Sequence, residues 1–364
     1  MGKDRKRGGA EQTLSGKING ARAVIAMSGG IDSSVAAFLM KEQGHDCTGI
    51  TMRLSGCSSQ GDIDDARKVS EFLGMTYYVC DFQKDFENEV IDRFIKSYID
   101  GATPNPCIFC NRFIKLKKLL LHAVESNYDY IATGHYAKIE YDDISKRYLL
   151  KKAADEKKDQ SYVLYLLTQE QLKHIKFPLG NLTKTEAREI AEKNGFINPE
   201  KKESQDICFV PDGDYAGFIE RHTGKIFPDG DFIDTEGNIL GRHKGIIRYT
   251  KGQRKGLGLA LKEPMYVFDK SAGTNTVTLC RNDELFAKEL TAHDINLIPF
   301  DKIDGRIKIK AKVRYNQSEQ PAVAEQTDKD TLHIEFETPQ RAITKGQAVV
   351  LYDGDTVIGG GTIS

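Results

Sequence analysis

An apolar run from Val24 to Met27 stops at Ser28-Gly29-Gly30, and apolar residues resume at helical spacing as Val35, Ala36, Phe38, Leu39 and Met40. That order reads as strand, tight loop, helix. Such a loop aims successive backbone N–H groups and the positive end of a helix dipole at one point, which suits an anion and above all a phosphate. The Walker loop needs Gly-Lys-Ser/Thr after four intervening residues, and the dinucleotide fingerprint needs three spaced glycines; neither is present. The alternation continues: "CTGITMRL" precedes a helical period from Asp62 to Leu73, "TYYVCDF" precedes a helix from Asp85 onward, and "YDYIATGHYA" follows another. Repeated strand–helix units predict an α/β fold, a parallel sheet with helices on both faces, whose ligands sit beyond the carboxyl ends of the strands.

From Ile226 the pattern changes. Short strand-like runs broken by Gly, Asp and Asn, such as "GDFIDTEGNILG" and "YDGDTVIGGGTIS", predict a small β-rich domain followed by a β-barrel. A chain of 364 residues has room for two or three cores. We divide it into a basic, disordered lead-in (1–22), a nucleotide-binding domain (23–218), a central β-rich domain (219–282) and a C-terminal barrel (283–364). No stretch approaches the roughly 20 apolar residues of a membrane span, and the first residues lack the apolar core of a secretion signal, so a cytoplasmic protein with no membrane partner is expected.

The formal net charge of −1 hides an asymmetry: Asn238 to Lys262 holds seven Lys or Arg and no Asp or Glu. In "RIKIKAKVR" a strand period of two puts Arg306, Lys308, Lys310, Lys312 and Arg314 on one face, opposite Ile307, Ile309 and Val313. Either segment alone is compatible with a solvated face; two in one half of the chain point to a polyanion, with RNA the natural candidate.

Seven cysteines, an odd number, argue against a disulfide framework. Cys47, Cys80 and Cys280 lie in apolar strand-like runs and read as small packed hydrophobes. Cys57, in a polar loop, carries no signal. Cys107 and Cys110 occur in "TPNPCIFCNRFIKLKKLL", where a helix N-terminus and the nearby Arg112 and Lys115 predict lowered thiol pKa values. Cys208 lies far away, among the turn-forming residues of a mobile loop. A C-x-x-C is half a zinc site, but no second C-x-x-C or H-x-x-x-H follows.

The loop "SGGIDSS" resembles the pyrophosphate loop of the ATP pyrophosphatase superfamily. Together with "TPNPCIFCNRFIK", "ATGHYAK", "KKDQSYVLYLL", "SQDICFV" and "HKGIIRYTKGQRKGLG", in that order and over nearly the whole chain from Ala23, it resembles the tRNA-specific 2-thiouridylase family. The resemblance implies ATP-dependent adenylation of the C2 oxygen of a wobble uridine, then its replacement by sulfur. ATP would lie against Ala26, Met27, Ser28, Gly29, Gly30, Ile31, Asp32 and Ser33, bordered by Met52 and Gly134, with Asp32 holding Mg²⁺. Sulfur would arrive as a persulfide on Cys208 from a cysteine desulfurase or relay protein. Cys110 would be the second, nucleophilic cysteine, leaving a Cys110–Cys208 disulfide for an external thiol reductant.

Asn105, Pro106 and Cys107 would meet the target base beside His135; Lys158, Asp159 and Gln160 would contact tRNA from the first domain, and Arg314, Tyr315 and Gln347 from the last. The implied substrates are the tRNAs for Lys, Glu and Gln. Many family members carry an aspartate where this chain has Cys107, and a thiol with an ordinary pKa of about 8.5 is a poor general base. The substitution also creates a trio, Cys107, Cys110 and Cys208, expected to be able to ligate an iron–sulfur cluster with one open site. Two other readings share some of these features: an amide-forming adenylating synthetase, which needs no paired cysteines, and a tRNA-binding module without catalysis.

Overall fold

The computed structural model describes residues 20–196 and 207–364. Residues 1–19 of the predicted lead-in and the start of the loop before Cys208 lie outside those residues, while Arg22, placed at the end of the lead-in, already belongs to the first strand. The first domain is built on β1 (Arg22–Ala26), β2 (Asp46–Arg53), β3 (Thr76–Asp81) and β4 (Tyr130–Ala132), then a hairpin of β5 (Lys138–Asp142) and β6 (Arg147–Lys151), and β7 (Ile175–Lys176). Five of these strands form a parallel sheet in the order β3-β2-β1-β4-β7. Ala23, Val24 and Ile25 are completely buried, as a central strand covered on both faces requires. The connecting helices are α1 (Ile31–Glu42), α2 (Gln60–Phe72), the helical runs α3 (83–99) and α4 (106–125), α5 (Lys184–Lys193) and α6 (Tyr215–Thr223). The chain runs outward from β1 through β2 to β3 and then crosses back to β4 on the other side of β1, so the crevice at this topological switch point opens beside the Ser28 loop.

The middle domain is a four-stranded sheet, β8 (Gly230–Ile233), β9 (Ile239–His243), β10 (Tyr266–Ser271) and β11 (Thr276–Cys280), in the order β10-β11-β8-β9. Its apolar face, with Phe232, Val267, Val277 and Leu279, shares one core with Phe86, Phe94 and Phe209 of the first domain. The last domain is β12 (Phe286–Leu297), β13 (Arg306–Lys312), β14 (Gln320–Asp328), β15 (Thr331–Arg341), β16 (Ala348–Asp353) and β17 (Thr356–Ile363). These six antiparallel strands close into the expected barrel through the β12–β17 pairing. The β5–β6 hairpin extends the same sheet where Lys151 pairs with Thr356, joining the first domain to the barrel. Among the described residues, no helix is long and apolar enough to cross a membrane.

One lysine at the domain junction is costly. Lys270 Nζ is buried without a hydrogen-bond partner, 5.7 Å from the Tyr98 ring centroid. Burial lowers its pKa to about 8 from 10.5. Because the folded value lies below the unfolded one, the penalty is fully present below pH 8 and fades as pH rises toward 10.5. Lys270→Met is therefore expected to stabilise the protein at pH 7, by up to ~3 kcal/mol. The advantage over wild type should shrink across pH 8–10.5 in denaturant titrations; a constant difference would mean that the ammonium is not desolvated.

Candidate active site

The loop after β1 is drawn tight by its own hydroxyls. Ser33 Oγ donates to Gly30 O at 2.9 Å and accepts from Ser28 N at 3.1 Å, while Ser34 Oγ donates to Gly30 O at 3.0 Å. Gly29 sits at φ +70, and a Cβ there would meet Asp62 O at 2.3 Å. Gly134, after β4, is equally constrained: a Cβ would lie 2.8 Å from the backbone of Asp32 and Ser33. Gly30 is the N-cap of α1 and has no side chain to bond the first-turn N–H groups. Ala26 and Met27 lie at the end of β1, Ile31 opens α1 and Met52 lies next to the last residue of β2, with Met27 N bonded to Ile50 O. The expected nucleotide residues are thus brought together.

Asp32 is held more firmly than the sequence indicates. Lys184 Nζ reaches both carboxylate oxygens, at 2.7 and 2.8 Å, and Tyr136 OH donates to one at 2.9 Å. Lys184 opens α5 directly after Thr183, the N-cap of a capping box. That box marks a helix start, but nothing local shows that the next lysine turns inward to an aspartate 152 residues earlier. The carboxylate keeps one-third of its side-chain surface, 33%, exposed.

The second half of the site is a group of thiols around Lys115. Asn105 caps α4 through Cys107 N at 3.1 Å, with Pro106 in the first turn. From Cys110 to Lys118 the helix is π-helical, with Leu119 N bonded to Ile114 O, five residues back. In an α-helix, residues five apart diverge by about 140°; the wider turn brings Lys115 toward the Cys110 side. Lys115 interacts electrostatically with Cys110, Cys107, Cys208 and Cys57, and the Cys110 thiol foremost raises its pKa, keeping it a cation.

Two expectations fail here. The thiols of Cys107 and Cys110 are raised, not lowered: burial pushes Cys110 up to about 12, outweighing Lys115, and desolvation also raises Cys107. Arg112 does not help, because it pairs with Asp294. The lowered thiol is Cys208, at about 7, chiefly because Cys57 donates a hydrogen bond to it, with Lys115 assisting against desolvation. Cys208 itself lies in an exposed turn. The second failure is the iron–sulfur ligand set: among the described residues no three His, Cys, Asp or Glu converge to hold a metal ion. Cys47 and Cys280 are buried as expected, and Cys80 is partly buried with its sulfur 3.6 Å from His122.

His135 is buried, with Nδ1 2.7 Å from Thr133 Oγ1, and burial, then Lys115, lowers its pKa to about 3. It is a neutral imidazole at working pH. The residues assigned to tRNA also tie domains together. Tyr315 OH donates to Asp159 O at 3.3 Å, and Gln347 Nε2 to Thr103 O at 2.6 Å. Asp159 also accepts from Ser161 Oγ at 2.7 Å, Gln160 Oε1 from Tyr136 N at 3.0 Å, and Lys158 stands half-buried on the same turn. Arg314 donates to Ala342 O and Thr344 Oγ1 at 2.6 and 2.9 Å. On β13 the alternation is as read, but Arg306 pairs with Glu335 and Lys312 is partly buried near Tyr162; Lys308 and Lys310 face outward.

A doubly wound parallel sheet with this glycine and hydroxyl loop at its switch point is the nucleotide-binding domain of the ATP pyrophosphatase class. Residues 21–212 match the model of a tRNA methyl transferase HUP domain, 216–281 its PRC-barrel domain, and 287–363 an aminomethyltransferase beta-barrel domain. The tRNA-specific 2-thiouridylase MnmA of Acetivibrio thermocellus is 51% identical over 94% of this chain and 99% of its own length. Those of Clostridioides difficile and Carboxydothermus hydrogenoformans are 49% and 47% identical, over 94% and 95% of this chain and 98% of each relative. This chain belongs to the tRNA-specific 2-thiouridylase family. Among solved structures, a 4-thiouridine synthetase–RNA complex with ATP superposes with a TM-score of 0.38 at 20% identity, over 56% of this chain and 50% of that one, too slight a likeness to add to the assignment.

Proposed function

We propose that this chain is a tRNA 2-thiouridine synthase, a sulfurtransferase that adenylates the C2 oxygen of the wobble uridine and replaces it with sulfur, releasing AMP and pyrophosphate. The observation that carries the reading is the convergence of a lowered, exposed Cys208 thiol and a half-buried lysine cation in a domain with a pyrophosphate-type loop. Oxide is a poor leaving group; once the oxygen is bonded to the α-phosphate, AMP departs instead. Ala26 to Ser33, with Met52 and Gly134, hold ATP, and Asp32 holds Mg²⁺, which when bound neutralises charge on the pyrophosphate. Cys208 accepts sulfane sulfur from a cysteine desulfurase or relay protein because its thiolate is well populated near neutral pH.

Cys110 is the second, nucleophilic cysteine, with Lys115 stabilising its anion when it forms. Asn105, Pro106 and Cys107 receive the base beside a neutral His135, which acts as a hydrogen-bonding partner; Cys107, a protonated thiol, is a donor and not a base. Lys158, Asp159 and Gln160 line the tRNA path from the proposed part 23–218, and Arg314, Tyr315 and Gln347 from the part 283–364, with the central part 219–282 between them in the chain. The substrates are the tRNAs for Lys, Glu and Gln, the disulfide formed in turnover is cleared by an external thiol, and the enzyme works in the cytoplasm.

The test is a reaction with unmodified tRNA, ATP, Mg²⁺, cysteine and a desulfurase, following pyrophosphate and digesting the tRNA for 2-thiouridine by mass. Wild type is expected to thiolate the wobble position, Cys208→Ser to lose thiolation, and Asp32→Ala to lose pyrophosphate release. Full activity after Cys110→Ser and Cys208→Ser together would favour an amide-forming synthetase. RNA binding without pyrophosphate release would leave a binding module.

If β13 tracks phosphates, Lys310→Ala should weaken tRNA binding and lower the slope of log affinity against log salt by about 0.9. An unchanged slope would make the strand a solvated face.

A further inference from the structure

Thr133 to Ala137, the loop after β4, carries contacts that alternate from residue to residue. Gly134 lies so close to the start of α1 that a Cβ on it would be 2.8 Å from the backbone of Asp32 and Ser33. His135 instead meets Thr133 Oγ1 at 2.7 Å and the Phe177 ring, with 5.7 Å between centroids. Tyr136 returns to the nucleotide side, where its hydroxyl donates to Asp32 Oδ1 at 2.9 Å. Tyr136 is 2% exposed and packs among Val35, Leu179 and Ala187, so a shift of its backbone is passed on to its hydroxyl. One residue fixes that backbone on both sides. Gln160 Oε1 accepts from Tyr136 N at 3.0 Å, and Gln160 N donates to Tyr136 O at 2.9 Å. A backbone N–H can bond only an acceptor, so the side-chain carbonyl of Gln160 faces the loop and its amide N–H groups are the part left for RNA. Its neighbour Asp159 is tied to the barrel, with the backbone carbonyl accepting from Tyr315 OH at 3.3 Å.

We infer that Tyr136 and Gln160 are positioning residues for adenylation: by holding this one loop they fix the Asp32 end of the nucleotide site and the His135 end of the base site at a single separation. This rests on the proposed adenylation of a base seated beside His135. The reacting oxygen and phosphorus must approach within about 3–3.5 Å, and a misplacement of about 1 Å costs roughly 100-fold in rate. Gly134, His135 and Tyr136 are consecutive, so the two ends of the site are joined by three residues instead of by separate elements. Gln160 adds a second consequence. Its carbonyl oxygen holds the loop while its amide faces the tRNA side, so a turn assigned to tRNA contact also sets the Tyr136 hydroxyl against Asp32. Both residues act through others and touch no reacting atom.

The full-length protein with unmodified tRNA, ATP and Mg²⁺, and no sulfur source, tests this by single-turnover pyrophosphate release, with tRNA affinity measured by filter binding. Tyr136→Phe keeps the ring and removes only the hydroxyl. Its rate at saturating ATP and tRNA should fall at least ~10-fold, while the half-saturating ATP concentration and the tRNA affinity change by less than ~3-fold. Gln160→Leu should slow the rate by a similar factor. Gln160→Glu keeps an acceptor for Tyr136 N, and at saturating tRNA its rate should stay within ~3-fold of wild type even as its negative charge weakens tRNA binding. The double variant Tyr136→Phe with Gln160→Leu should lose less than the product of the single losses, because both act through one loop. A wild-type rate in Tyr136→Phe, a Gln160→Leu that weakens tRNA binding alone, or equal losses in Gln160→Leu and Gln160→Glu overturns the inference while leaving adenylation standing. Wild type that releases no pyrophosphate with tRNA overturns the adenylation reading and this inference with it.

Discussion

At pH 7, iodoacetamide is expected to modify Cys208 at least ~100-fold faster than Cys110. With the two thiols at about 7 and about 12, half of Cys208 is thiolate, whereas only ~1 in 10⁵ Cys110 groups is. The more basic Cys110 anion is intrinsically more nucleophilic. With a Brønsted coefficient of ~0.4–0.5, that returns two to two and a half of the five powers of ten. Exposure adds to what remains, since Cys208 is exposed and Cys110 buried. The Cys208 rate should rise with pH to a plateau with its midpoint near 7, and the Cys110 rate should still be climbing above pH 10. Peptide-resolved alkylation rates check both profiles. Comparable rates at pH 7, or a Cys208 midpoint at the ordinary 8.5, would mean that the Cys57 hydrogen bond and the Lys115 charge do not act on it.

These same residues mark where the sequence was legible. The strand, loop and helix around Ser28 could be read because the apolar period changes within a few residues and the glycines have no substitute: Gly29 is left-handed, and Gly134 touches the backbone of Asp32. The parallel sheet and barrel were legible for the same reason, since burial alternates or runs continuously as each setting demands. The Cys110 environment was not. Its place near a helix start beside a lysine pointed to a lowered thiol, but the strength of burial depends on Ile114, Phe209 and Ile247, which tertiary packing gathers from distant segments. Lys115 was obscured by the π-helical turn, which changes the face a five-residue spacing reaches. Cys57 was hidden because its partner lies in another turn, and no local pattern encodes that pairing.

Lys184→Met should produce the largest loss at the nucleotide end of the site. The Lys184 side chain is 8% exposed, so removing its ammonium strands the Asp32 carboxylate in a partly desolvated crevice. Breaking a buried pair from one side costs about 3–5 kcal/mol. Here the Tyr136 hydroxyl and the α1 N-terminus offset part of that, placing the expected loss near ~3 kcal/mol. Several domains need not unfold as one unit, so the readout is amide exchange in α1 and β1, where protection should fall ~100-fold. Asp32→Asn removes the stranded charge, and the double variant should therefore exchange more slowly than the product of the two single effects; simple multiplication would mean the side chains are not coupled. Pyrophosphate release should fall in Lys184→Met even when ATP is saturating. The pair fastens α1, which presents the loop, to α5, which follows β7, and so sets where the Asp32 carboxylate stands when the phosphates arrive.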